Sequence, residues 1–105
     1  SLYLGKVLRR RAGSRGGLQR HVEKEETFFL FSGHAVVRSD DGTGCLIALD
    51  MTPGQSYHIP PGAVHQVEAV TDCVLFECST PHHDDRVRVE REYGLPEEGG
   101  LPTTR

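Results

Sequence analysis

Gln19-x-His21-x4-Glu26-x6-Gly33 and, twenty residues further on, Gly54-x5-Pro60-x-Gly62-x2-His65 set an amide, two imidazoles and a carboxylate among short apolar runs and turn residues. Alternate residues of a strand face the same side, so Gln19 and His21 share a face. Glu26 lies beyond the charged turn at 23–25, on a partnered strand whose same face carries Phe28 and Leu30. His65 opens another strand directly after Pro60-Pro61-Gly62, a tight turn that sets its direction. A lone histidine near a strand is usually a surface or hydrogen-bonded residue. The joint spacing favours one inward-pointing site with Gln19, His21, Glu26 and His65 as metal ligands. Imidazole and carboxylate suit Zn, Fe, Ni, Mn or Cu(II), so the donors alone do not choose the divalent transition metal. Two histidines and one carboxylate leave open positions for water or substrate, as a catalytic site needs.

Outward from these stretches the pattern stays β-like: short apolar runs separated by Gly, Pro and Asp turns. Strands are expected over 2–8, 18–22, 27–31, 35–38, 45–49, 56–59, 65–70 and 73–79. Ser39-Asp40-Asp41-Gly42-Thr43-Gly44 reads as a hairpin turn, with Gly available for positive φ. No segment before residue 80 has helical periodicity. Val87 and Val89 alternate with Arg86, Arg88 and Glu90, which suits an edge strand or an extended arm. The expected architecture is all-β, a small antiparallel barrel over 1–94. Residues 95–105, rich in Pro and Gly, are expected to form a flexible tail.

Bulk properties narrow the function. The chain has 105 residues, enough for one domain with a modest core that dimerisation would help. Twelve Lys and Arg against fifteen Asp and Glu give a net charge of -3, no electrostatic case for nucleic acid or an anionic membrane. No apolar run approaches the length of a membrane span. The chain begins at Ser1 without Met, as a fragment lacking an upstream strand would. Cys45, Cys73 and Cys78 form no CxxC pair and are expected as buried, reduced thiols of a cytoplasmic protein.

The two stretches resemble the two cupin motifs, Gly-x5-His-x-His-x3-4-Glu-x6-Gly and Gly-x5-Pro-x-Gly-x2-His-x3-Asn. Gly13 and Gly33 bracket the first; Gly54, Pro60, Gly62 and His65 fit the second. Gln19 stands where the first motif has His, and Ala69 where the second often has Asn. An amide oxygen is a weaker, neutral donor than imidazole. Leu18-Gln19-x-His21-x4-Glu26, Gln55-Ser56-x-His58-Ile59-Pro60 and the run from Asp84 to Gly94 are similar to stretches of the cupin domain of type II phosphomannose isomerases. That resemblance spans most of residues 4–94. It implies a jelly-roll barrel, or double-stranded β-helix, acting on a sugar or sugar phosphate.

An aldose–ketose isomerase or epimerase needs a base near the reacting C–H and a group that holds the developing oxyanion. Glu26 is expected at that centre, and His58 as the acid–base residue; Tyr57, Glu68 and Glu77 are the other candidates. His58 fits a surface strand position as well. Arg86 and Arg88 are candidates for a substrate phosphate, and a solvated strand face fits them equally. His82, His83, Asp84 and Asp85 are expected as an exposed polar turn rather than a helper metal site. A small-molecule substrate and a homodimer are the expected partners. A non-catalytic binding module, a cupin oxygenase, a polyketide cyclase and a structural subunit are the competing readings, because fold does not fix function.

Overall fold

Period-two alternation of burial is clearest in three strands, over Glu26–Ser32, Ala35–Asp40 and Cys73–Ser79. A computed structural model describes residues 3–105 and, among them, nine strands. These are β1 (Leu4–Arg10), β2 (Gln19–His21), β3 (Glu26–Ser32), β4 (Ala35–Asp40), β5 (Leu46–Met51), β6 (Ser56–Ile59), β7 (His65–Ala69), β8 (Cys73–Ser79) and β9 (Arg86–Arg88), followed by a single 3-10 turn at Glu90–Tyr93. Leu2, expected at the head of the first strand, lies outside the described residues; from Leu4 that strand runs two residues past its expected end at Leu8. No helix among the described residues is long and apolar enough to cross a membrane.

The strands form two sheets, in the orders β1-β8-β3-β6 and β5-β4-β7-β2-β9, with every pairing antiparallel. Consecutive strands mostly lie in different sheets, which is the jelly-roll form of an all-β sandwich. Glu26, Phe28 and Leu30 of β3 turn inward, as do Ala35 and Val37 of β4, Cys73 and Leu75 of β8, and Ile59 of β6. All of these but Glu26 form the core, together with Met51 and Ala69. A fully buried side chain such as Leu30 contributes about 2 kcal/mol. The outer face of the first sheet is also apolar. Val7, Phe76 and Phe29 lie side by side in register, and the Phe31 ring meets that of Phe76 at 5.5 Å. Only Cys73 follows the expectation of buried thiols; Cys45 follows the exposed hairpin turn, and Cys78 points outward from β8.

Three turn features position the inner side chains. Gly33, at φ 95°, ends β3 against the backbone of Asp72 and Cys73. The turn between β2 and β3 is held by the buried Asp85, whose Oδ2 accepts the N–H of Glu23 at 2.6 Å and of Lys24 at 2.7 Å. Burial would raise the Asp85 carboxyl, but those donors and Arg105 beside it hold it below the usual carboxylate range. Asp85 is therefore a buried bracket rather than part of the expected exposed turn. Finally, Gly62 donates its N–H to the carbonyl of His21 at 2.7 Å, tying the Pro-Gly turn before β7 to the end of β2.

The C-terminal segment lies along β9. Thr104 N–H donates to the Arg86 carbonyl at 2.8 Å, and Arg86 and Arg88 donate their N–H groups to the Thr104 and Thr103 hydroxyls. Arg105 reaches Asp85 at 2.9 Å. Residues 95–105, expected as a flexible tail, thus cap the edge of the second sheet in this conformation.

Candidate metal centre

Register brings the expected ligands toward one another from two sheets. Gln19 and His65 are direct cross-strand partners of β2 and β7, and His21 sits two residues from Gln19 on the same face. Glu26 comes from β3 in the opposite sheet. His21, Glu26 and His65 are 5%, 5% and 4% exposed, and one ligand atom of each lies within 4.8 Å of the others. Nε2 of His65 is 3.3 Å and Nε2 of His21 is 3.6 Å from Glu26 Oε1.

The neighbours of the three side chains orient them. His65 Nδ1 is 3.0 Å from the Ala63 carbonyl, which can only accept, so Nδ1 carries the proton. Nε2 of His65 is then the ring nitrogen turned toward Glu26. His21 is buried with neither ring nitrogen hydrogen-bonded. A buried polar group without a partner needs an explanation, and a bound ion is one. Burial would raise the Glu26 carboxyl, but the two imidazoles, Glu77 and Lys24 hold it far below the usual carboxylate range, so it is ionised. Two imidazole nitrogens and a carboxylate oxygen thus converge as donors, and this set fits a divalent transition metal. A histidine whose far nitrogen is fixed by a carbonyl is the orientation that ligating histidines adopt.

Glu26 and His65 border a cavity of about 410 Å³, walled also by Gln19, Phe28, Glu77 and Leu101. Burial, together with the bond to Glu26 and its charge, pushes the Glu77 carboxyl up. Lys24 reaches both carboxylates, 3.0 Å from Glu26 Oε2 and 3.8 Å from Glu77 Oε2.

Other expected site residues lie elsewhere. His58 is not brought to these residues: alternation along β6 turns it outward, 53% exposed, with Nε2 2.6 Å from Glu25 Oε2. Tyr57 stacks on Phe28 with ring centroids 5.8 Å apart, and Glu68 pairs with Arg38 at 2.8 Å. The arginine pair, expected at a substrate phosphate, is placed along β9. Arg88, 8% exposed, donates Nε and Nη2 to Glu90 and Nη1 to the Gly99 carbonyl, while Arg86 donates to Pro102. The Arg88 guanidinium is thus engaged on all three nitrogens within the chain, and that of Arg86 on one. Arg10 instead lines the cavity and, among the described residues, pairs with no carboxylate. Lys24 and Asp85 were not legible as site residues, because each sits in a charged turn that reads as solvated.

A family model described as cupin domain matches residues 8–79. The chain is a cupin. No curated protein matches it. Among solved structures, this cupin resembles the capsular polysaccharide assembling protein CapF from Staphylococcus aureus, with a TM-score of 0.69 at 23% identity over 81% of the chain and 27% of CapF. The chain therefore spans about a quarter of CapF. Oxalate decarboxylase from Bacillus subtilis, a protein with Mn(II) centres, aligns at TM-score 0.69 and 19% identity over 85% of this chain and 24% of that one. KdgF from a Halomonas species aligns at 0.68 and 16% over 78% and 71%. At these identities the likeness shows the fold.

Proposed function

We propose that this cupin is a metal-dependent isomerase or epimerase acting on a sugar or sugar phosphate. The observation that carries the reading is the convergence of His21 Nε2, His65 Nε2 and Glu26 Oε1, with Glu26 and His65 opening onto a cavity that a second carboxyl, Glu77, also lines. A metal held by His21, Glu26 and His65 would supply electrophilic stabilisation of a substrate carbonyl oxygen. The amide oxygen of Gln19, on the same wall, is the candidate fourth donor. Glu77 moves the proton: its raised pKa suits a base that takes a proton from carbon and returns it to the neighbouring carbon. Phe28 and Leu101 exclude water from one side of the substrate, and Arg10 takes the anionic end in place of Arg86 and Arg88. Mn(II) is a reasonable first metal to load, given the Mn(II) centres of the structurally similar oxalate decarboxylase.

The test is proton exchange. The Mn(II)-loaded chain is incubated with a panel of aldose and ketose phosphates in D2O, and deuterium entry next to the carbonyl is followed by NMR. Exchange with at least one member is expected, with Glu77→Gln slower by about 100-fold or more. A loaded chain that labels none of the panel while consuming oxygen points to oxygenase chemistry and ends the isomerase reading.

We also propose a second copy of this chain as its partner. The centre of the outer face formed by Val7, Phe29, Phe31 and Phe76 carries no charge, so two copies can meet there without like-charge repulsion. Sedimentation is expected to show a dimer that Phe76→Lys converts to monomer. A wild-type monomer at micromolar concentration rules this out.

A further inference from the structure

The two oxygens of Glu26 face different partners. Oε1 is turned to the histidines, 3.3 Å from His65 Nε2 and 3.6 Å from His21 Nε2. Oε2 is turned the other way, 3.0 Å from the Lys24 ammonium. Lys24 is not a surface lysine that happens to reach inward. Its side chain is 14% exposed, and its backbone N–H is fixed to buried Asp85 at 2.7 Å. The turn that carries it joins the strand of His21 to the strand of Glu26, so the ammonium is placed by the element that spaces two ligands. Its second partner, Glu77 at 3.8 Å, holds it on the cavity side of that turn.

We infer that Lys24 is a positioning residue that keeps Glu26 a one-oxygen metal ligand, so that an additional coordination position stays open. The inference rests on the metal reading above. A carboxylate whose second oxygen accepts a charge-assisted hydrogen bond has little lone-pair density left for a metal, and such bonds are roughly twice as strong as neutral ones. Bringing Oε2 round to the metal also breaks its bond to the ammonium. Without the ammonium, Oε2 loses its charged donor, the neutral bond to Glu77 is the weaker tie, and the oxygen turns to a divalent cation beside it. Glu26 then chelates, and one position that water or substrate would take is closed. The lysine thereby sets how many ligands the site can accept, although it touches neither the metal nor the substrate. It also places a positive charge near the ion, so its removal strengthens metal binding rather than weakening it.

Mn(II) alone is the probe. Uptake by the wild-type chain is measured first by equilibrium dialysis, and then the water-proton relaxivity per bound Mn(II). For Lys24→Met the relaxivity is expected to fall by roughly a third to a half, the share of one position among the two or three left open on a six-coordinate ion. Lys24→Arg, which retains the charge and the donor, is expected to match wild type. Lys24→Ala, which cannot clash, serves the same purpose if the methionine variant folds poorly. Wild-type relaxivity in the neutral variants, whatever their affinity, overturns the inference. A wild-type chain that takes up no Mn(II) overturns the metal reading as well, and the dialysis step separates the two failures.

Discussion

His21→Leu is expected to abolish the thermal stabilisation by divalent metal and at the same time to make the metal-free chain more stable. The two effects have one origin. Both ring nitrogens of His21 are buried without a hydrogen-bond partner. Leaving a buried polar group unsatisfied costs about 1–3 kcal/mol, and an apolar side chain of similar size removes that cost. In the wild-type chain a metal at 100 times its dissociation constant adds about 2.7 kcal/mol. For a domain of this size each kcal/mol moves the midpoint by about 4–8 °C. Melting curves with and without Mn(II) or Zn(II) should therefore cross over: wild type is lower without metal and higher with it. A leucine variant that still gains stability from metal would remove His21 from the ligand set. One that is less stable without metal would show that the imidazole is satisfied by something other than an ion.

Gly33→Ala is expected to be the most damaging single-methyl change in the chain. Gly33 has φ 95°, where an L side chain is strained by about 1–3 kcal/mol. An added Cβ would also overlap the Asp72 carbonyl oxygen, with Cys73 Sγ 2.9 Å and Cys73 Cα 3.0 Å away. The obstructing atoms are mostly backbone of the turn before β8 and cannot rotate aside. A loss of more than about 3 kcal/mol in urea unfolding follows, a large share of the roughly 5–15 kcal/mol that holds a domain together. Gly62→Ala is the control. Its φ is 82°, but nothing lies within 4 Å of the added carbon, so only the conformational penalty remains, about 1–2 kcal/mol. Equal losses at the two positions would mean that the overlap at Gly33 is relieved by movement of the turn.

Much of the framework was legible because a strand's period is short and local. The expected bounds of β6 and β8 coincide with the observed strands, and Phe28 and Leu30 face inward beside Glu26 as alternation requires. Legibility failed where two strands had to be compared. His58 and Tyr57 are neighbours on β6, and alternation says only that they point opposite ways, not which one points in. The packing of Ile59 and Tyr57 against the core made that choice, and His58 was left to Glu25. Arg88 looked available because alternation with valines describes a solvated strand face. Burying it became favourable once Glu90, two residues away, could meet its guanidinium, with the Gly99 carbonyl a further acceptor.

By itself, then, the amino-acid order determined the strands, the glycine turns, the membership in the cupin family and the three residues of the candidate cage. Each of these depends on local backbone geometry or on a fixed spacing. Only the tertiary structure decided that Glu26 meets the histidines from the opposite sheet, that Glu77 rather than His58 shares a cavity with Glu26 and His65, and that Lys24 and Asp85 belong to the site's support. Those outcomes depend on which faces of two sheets come together and on which charges can be neutralised once water is excluded. Neither is a property of any single stretch of chain.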